Sequence, residues 1–265
     1  MAREGSPLRA LITGLQLPEA LRSDGDALYF SDAAAGGVYR WRKGMVETVV
    51  PKRRGVGGLA LHAEGGIVIS GRTLVHVRDG EVRELFAADG ALGLNDLTTD
   101  VDGSVLVGAL RMDWREPEGG QPGEVWRVHR DGAEQLITGI AYPNGMAFSP
   151  DGRTLYVADY VGARVHVIEV ATRAHRRFVD LERGNADGLA VDAAGRVWVA
   201  TGPNGSFDVF DTTGALVDRL TPPEDFAVTL CFGNEDPYEL YLAAGRSIYR
   251  ARSDVPGLPA VRAQV

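Results

Sequence analysis

One cysteine, Cys231, is all that the 265 residues contain, so no disulfide can form within the chain and stability must come from a packed core. Cys231 lies in the apolar run AVTLCF, a setting for a buried thiol, not for an exposed nucleophile. Positive charge is also scarce: 28 lysines and arginines face 36 acidic residues, a net charge of -8. That balance disfavours nucleic acid as a partner, because such binding depends on neutralising phosphates. The short basic clusters at 52–54 and 173–177 read as solvated turns on outer strands. No apolar stretch approaches the roughly 20 residues of a membrane-spanning helix. The opening MAREGSPLRALITGL lacks the apolar centre of a signal peptide, and the expectation is a cytoplasmic protein without a membrane partner.

Several chemical signatures are missing as well. There is no Gly-x-Ser-x-Gly nucleophile elbow, no phosphate loop and no dinucleotide fingerprint. His62, His76, His129, His166 and His175 show no paired spacing suited to zinc, and three fall on expected outer strands. No long helix is legible; ELFAADGALGL comes nearest and glycine breaks it.

What the chain does have is repetition. Segments such as NGMAFSPDGRTLYVAD from Asn144 and DGLAVDAAGRVWVA from Asp187 share one plan: an apolar strand, a tight polar turn and a second strand. Aligned on that second strand, the equivalent first positions are Glu19, Gly57, Asn95, Asn144, Asp187 and Val228, spaced by 38, 38, 49, 43 and 41 residues. A period of about 40 to 50 with several short strands per unit predicts a β-propeller. The expected fold is all-β: one domain over 1–265, a six-bladed β-propeller of four-stranded antiparallel blades around a central channel.

The strands themselves are rich in Val, Ile, Tyr, Phe and Trp, as in ALYFSD, GGVYRWRKG, EVWRVHRDG and SIYRAR. Asp24-Gly25, Asp89-Gly90, Asp102-Gly103, Asp131-Gly132 and Asp151-Gly152 read as hairpin turns whose carboxylates serve the turn. A propeller must also close, and the run Leu8 to Thr13 is expected to pair beside SIYRAR in the last blade.

In a closed ring the first positions converge on the axis. Glu19, Asn95, Asn144 and Asp187 then offer two carboxylates and two amides, an all-oxygen set suited to a hard divalent cation such as Ca²⁺ or Mg²⁺. Antiparallel alternation puts the loops after each second strand at the same mouth. Those loops are 111–123, 159–162 and 202–206, and the first is the longest. Asn204, in a second ProAsnGly, falls at a different register and reads as a turn.

At these residues the chain resembles the SMP-30/gluconolactonase/luciferin-regenerating enzyme family of six-bladed propellers, over nearly its whole length. The segment from Pro18 to Asp32 resembles the family's opening Pro-Glu-Gly-Pro stretch, and NDLTTDVDGS from Asn95 its Asn-Asp motif. PNGMAFSPDGRTLYVAD from Pro143 and DGLAVD from Asp187 are similar to the family consensus, and VTLCFG from Val228 to the motif of the last blade. The resemblance implies a divalent metal held by Glu19, Asn144 and Asp187: Ca²⁺ first, with Mg²⁺, Mn²⁺ or Zn²⁺ as alternatives. It implies hydrolysis of a lactone or related ester, with Asn95 contacting water or a small-molecule substrate and Asp187 also helping to deprotonate the attacking water.

The chain departs from the family pattern in places that bear on substrate. Gly93 stands where sugar lactonases typically carry an arginine, and Ala20, Leu21 and Ser23 replace the usual Gly-Pro and Trp. The expected pocket is therefore less polar than one for a sugar lactone, lined by Arg111, Met112, Trp114 and Tyr160 beside Asn95. Two other readings compete: a cyclase or isomerase on a reassigned site, similar to strictosidine synthase-like proteins, and a non-enzymatic propeller that binds a partner at its rim.

Overall fold

A computed structural model describes residues 8–265. Six antiparallel sheets follow one another along the chain, and among the described residues there is no helix. Blade 1 runs from Pro18–Asp24 through Ala27–Asp32 and Gly37–Arg42 to Met45–Pro51, each strand pairing with the next. Blades 2 to 5 repeat this order with inner strands Leu59–Leu61, Gly93–Thr99, Pro143–Phe148 and Leu189–Val191. Blade 6 has Phe226–Phe232, Glu239–Ala244 and Ser247–Arg252, and its outermost strand is Arg9–Ile12 from the other end of the chain. The expected closure is thus present. Residues 1–7, included in the expected single domain, lie outside the described residues.

Ring geometry follows from which strands touch. Each inner strand contacts the inner strand of the next blade, and blade 6 returns to blade 1. Apolar side chains form six buried clusters, one at each blade-to-blade interface. Leu21, Leu28 and Phe30, for example, pack against Val228, Tyr241 and Ile248 across the closure. Removing a side chain such as Phe30, fully buried there, would cost about 3–5 kcal/mol in lost transfer energy and cavity formation. A core divided in this way leaves the axis free of apolar packing, which is where polar side chains can gather.

Turn chemistry largely matches the dipeptides. Gly25, Gly103, Gly132 and Gly152 each take a positive φ in a turn joining consecutive strands. Asp89-Gly90 differs. It lies between the last strand of blade 2 (Glu81–Phe86) and the first of blade 3, so it is an inter-blade link. The hairpin of blade 2 is made by Asp79-Gly80, both at positive φ, ahead of Glu81. Either place needs a left-handed residue, and the dipeptide alone does not distinguish them.

A recurring aspartate ends the second strand. Asp32 accepts hydrogen bonds from the backbone of Gln16, Leu17 and Ala35; Asp159 does the same for Ala141, Tyr142 and Gly162. These carboxylates tie each link to its blade. Burial pushes the Asp159 carboxyl up, but His166 and these N–H groups outweigh it and hold the group below its usual range.

The chain ends as a strap across the far rim. Gly257 bridges to Asp192 of blade 5 and Ala263 to His62 of blade 2. Arg262 pairs with Asp24 at 2.6 Å, and Arg83 donates to the carbonyl of Val265. No helix among the described residues is long and apolar enough to cross a membrane.

Candidate functional site

The first position of a repeat is special because the strand is irregular there. Pairing registers shift between Glu19 and Arg22, Leu94 and Leu97, Pro143 and Met146, and Ala227 and Thr229. A β-bulge re-aims a side chain that regular alternation would send elsewhere. Glu19, Asn95, Asn144 and Val228 all lie in these bulges. Asp187 stands just before its strand, held by its own N–H to the carbonyl of Ala200 and by its carbonyl to Gly145 N–H.

Glycines make the approach possible. A Cβ on Gly57, the equivalent position in blade 2, would stand 2.5 Å from Oδ1 of Asn95. A Cβ on Gly145 would meet the backbone nitrogen of Leu189 at 2.3 Å, so the residue after Asn144 must be glycine for blades 4 and 5 to touch. In blade 1 the corresponding residue is Ala20, which takes φ of 54° despite its side chain.

These constraints bring Asn144 and Asp187 into contact: Nδ2 of Asn144 donates to Oδ1 of Asp187 at 2.6 Å, both residues buried. Glu19 joins them. Burial first, then the charges of Asp187 and Asp96, push its carboxyl well above the usual carboxylate range. Burial and Asp96 likewise raise Asp187, with the Asn144 hydrogen bond pulling the other way. Asp96 itself is raised to about 6 by burial, offset in part by Arg22 and by the N–H of Leu97. Three acids thus share one end of the channel, each disfavoured as an anion by its surroundings. Asn95 is beside them, its Nδ2 donating to the carbonyl of Pro143 at 3.1 Å.

Aromatic rings border the acids. Tyr142 and Tyr160 have their hydroxyls raised by burial and by the charges of Glu19 and Asp187, Tyr160 to about 12. The two rings lie 6.1 Å apart, and Trp114 meets Tyr160 edge-on at 5.8 Å. Arg115 stacks over Trp114, which is 42% exposed. Trp114 and Tyr160, from the loops after the second strands of blades 3 and 4, therefore meet at the mouth beside the acids.

Other expected lining residues are placed differently. The guanidinium of Arg111 engages Glu124 through two nitrogens, at 3.2 and 3.0 Å, and also donates to the carbonyl of Asp89. Met112 is buried against Gly120 in its own loop. Gly202 and Pro203 pair with the inner strand of blade 6, and Asn204 is a left-handed turn residue. Cys231 is buried, which pushes its thiol up to about 12, so it stays protonated. Two functional candidates were not legible in the repeats: Asp96, next to Asn95, and Tyr142, in the link before Pro143.

The donor set suits a divalent cation by its chemistry. Glu19 and Asp187 supply charge, and Oδ1 of Asn144 accepts no hydrogen bond among the described residues, since only its nitrogen is engaged. Among the described residues no three His, Cys, Asp or Glu side chains converge as a ready cluster, so an amide ligand would be part of any such site. A hard cation with oxygen ligands is the fit, and a thiolate or imidazole metal is not.

Comparison with known proteins agrees with this architecture. The family model described as the SMP-30/Gluconolactonase/LRE-like region matches residues 17–246. A 6-deoxy-6-sulfogluconolactonase of Pseudomonas putida is 30% identical over 239 residues, covering 83% of this chain and 79% of that protein. The pentonolactonase XacC of Haloferax volcanii is 27% identical over 237 residues, covering 83% and 77%. Among solved structures, a luciferin-regenerating enzyme superposes with a TM-score of 0.89 at 20% identity, covering 98% of this chain and 100% of that one. With the bulged acidic register, the six-bladed ring and a match over most of its length, this chain belongs to the SMP-30/gluconolactonase/LRE-like family.

Proposed function

We propose that this protein is a divalent-metal-dependent lactone hydrolase whose substrate is less polar than a sugar lactone. One observation carries the reading: Glu19 and Asp187 are carboxylates gathered at one end of the channel, each raised by burial and by neighbouring negative charge. Such an arrangement is costly without a cation and serves no packing purpose. Lactone hydrolysis is the activity in the names of both curated relatives described above.

Glu19, Asn144 and Asp187 would hold the cation, Ca²⁺ by preference for an all-oxygen set. Bound there, it would polarise the lactone carbonyl and stabilise the charge that develops on its oxygen. The chain's own residues supply the rest. Asp187, with Oδ1 fixed by Asn144, would accept a proton from the attacking water through Oδ2. Asn95, anchored on Pro143, would present its free carboxamide oxygen to a substrate hydroxyl or to water. Tyr142, Tyr160 and Trp114 would form an apolar wall with hydroxyl tips, shielding the ester from bulk solvent. With glycine at 93, no arginine fork is available there for a hydroxyl-rich acid, which favours a smaller polar demand.

The test is metal analysis of purified protein together with a lactone panel assayed with chelator and with each cation restored. Turnover that survives chelation, or a clear preference for sugar lactones over alkyl lactones, would overturn the respective half of the reading.

A further inference from the structure

The opposite end of the channel holds a second cavity, of about 380 Å³, that the acids do not reach. Its walls come from the far halves of the inner strands, including Met146, Phe148 and Phe232, and its roof from the strap at Leu258 to Val261. The volume is near the lower end of the ~300–1,000 Å³ usual for small-molecule pockets. Apolar surface continues outward, since Val101 at the rim is 76% exposed.

One charged side chain lines this cavity, the guanidinium of Arg22, and no carboxylate does. Arg22 projects from blade 1 past blade 2, donating through one terminal nitrogen to the carbonyl of Leu97 at 2.6 Å and through the other to that of Leu21 at 2.9 Å. Those are two of the five N–H groups a guanidinium carries, so three remain. Among the described residues it makes no ion pair. Asp96 lies near enough to feel its charge but does not pair with it, and a partly buried guanidinium with N–H groups to spare and no direct ion pair is a matched partner for a ligand carboxylate, which takes a planar two-oxygen contact. Ser23, Thr98 and Asn234 add a few polar groups around it.

We propose that this chamber is a second ligand site, for a small monocarboxylate with an unbranched apolar tail of about six to ten carbons. The carboxylate seats on Arg22 and the tail extends between Phe148, Phe232 and the strap. The ligand enters from the face opposite the acidic mouth, so this site and the lactone site are separately addressable.

Sodium octanoate and the uncharged 1-octanol are the probes, titrated calorimetrically into the full chain in the presence of chelator. Octanoate is expected to bind at least about tenfold more tightly than octanol, the scale of one charge-assisted contact. Arg22→Gln is expected to remove that difference. Should Arg22→Gln fail to fold, Ala260→Trp, at an exposed strap position, fills the chamber and is expected to weaken octanoate about tenfold without lowering Tm. Asp187→Ala is expected to leave octanoate binding intact. The proposal is overturned if octanoate shows no binding at 10 mM (roughly, a Kd no better than a nonspecific contact), if octanol matches it, or if Asp187→Ala abolishes binding while Ala260→Trp does not.

Discussion

Asn144 donates its carboxamide N–H to Oδ1 of Asp187 across 2.6 Å, joining two blades whose first positions are 43 residues apart. The bond fixes one carboxylate oxygen and leaves Oδ2 without a hydrogen-bond partner among the described residues, pointing the chemistry of Asp187 into one direction.

Removing either acid should therefore separate activity from stability. Asp187→Ala and Glu19→Gln are each expected to lower kcat/KM for lactone hydrolysis by about 10²–10³-fold or more, the scale of losing one preorganised electrostatic group. In the metal-free state Glu19→Gln should instead raise unfolding free energy by about 1 kcal/mol, because a repelled buried anion is gone. Lactone kinetics beside denaturant unfolding in chelator check both halves; wild-type turnover in both variants would eliminate the centre.

Asp96 gives the metal-free protein a pH dependence of known sign. Its carboxyl is raised from an ordinary 3.8 to about 6, so the folded state holds its proton more tightly than the unfolded state does. That contribution is fully present below pH 3.8 and is lost as pH rises to about 6, a change of about 3 kcal/mol. Glu19 and Asp187, raised as well, extend the loss to higher pH. Unfolding measured from pH 4 to 7 in chelator should show declining stability, flattened by Asp96→Asn. Saturating Ca²⁺ should reverse the slope, because ligation favours the ionised acids.

Ala20 stores strain. It occupies a left-handed conformation, φ 54°, inside the bulge that aims Glu19, where a Cβ costs about 1–2 kcal/mol. Ala20→Gly should raise Tm and stabilise the fold by about 1 kcal/mol, since relief of that strain exceeds the added freedom of the unfolded chain. Thermal unfolding decides it, and a destabilised variant would show that the methyl group's packing outweighs the backbone cost.

Trp114 covers Tyr160 at the mouth without contacting the acids in the contacts described above. Trp114→Ala should shift the ranking of alkyl lactones by about tenfold through KM while leaving the Ca²⁺ requirement unchanged. A panel ranking identical to wild type would take this loop out of the substrate pocket.

How much of this was readable beforehand differs by residue. The ring, its six blades and its closure by Arg9–Ile12 follow from a period and from strand patterns that are local properties of the chain. Glu19, Asn144 and Asp187 group together in the sequence because they share the first position of the repeats. Asp96 falls outside that register, and regular two-residue alternation would send it to the face opposite Asn95; the bulge over Leu94 to Leu97 breaks that rule. Tyr142 belongs to a link without periodicity. The strap from Gly257 to Val265 is held at scattered points, among them isolated bridges to Asp192 and His62, far apart in sequence, and no local pattern announces such contacts.

Closure of the last blade by the first strand has a consequence for biosynthesis. Arg9–Ile12 is synthesised some 240 residues before its partner Ser247–Arg252. At about 5–20 residues per second, the gap of some 240 residues lasts on the order of 10 to 50 seconds. For that interval the nascent chain carries an unsatisfied strand and an open toroid, a window in which a chaperone would be of most use.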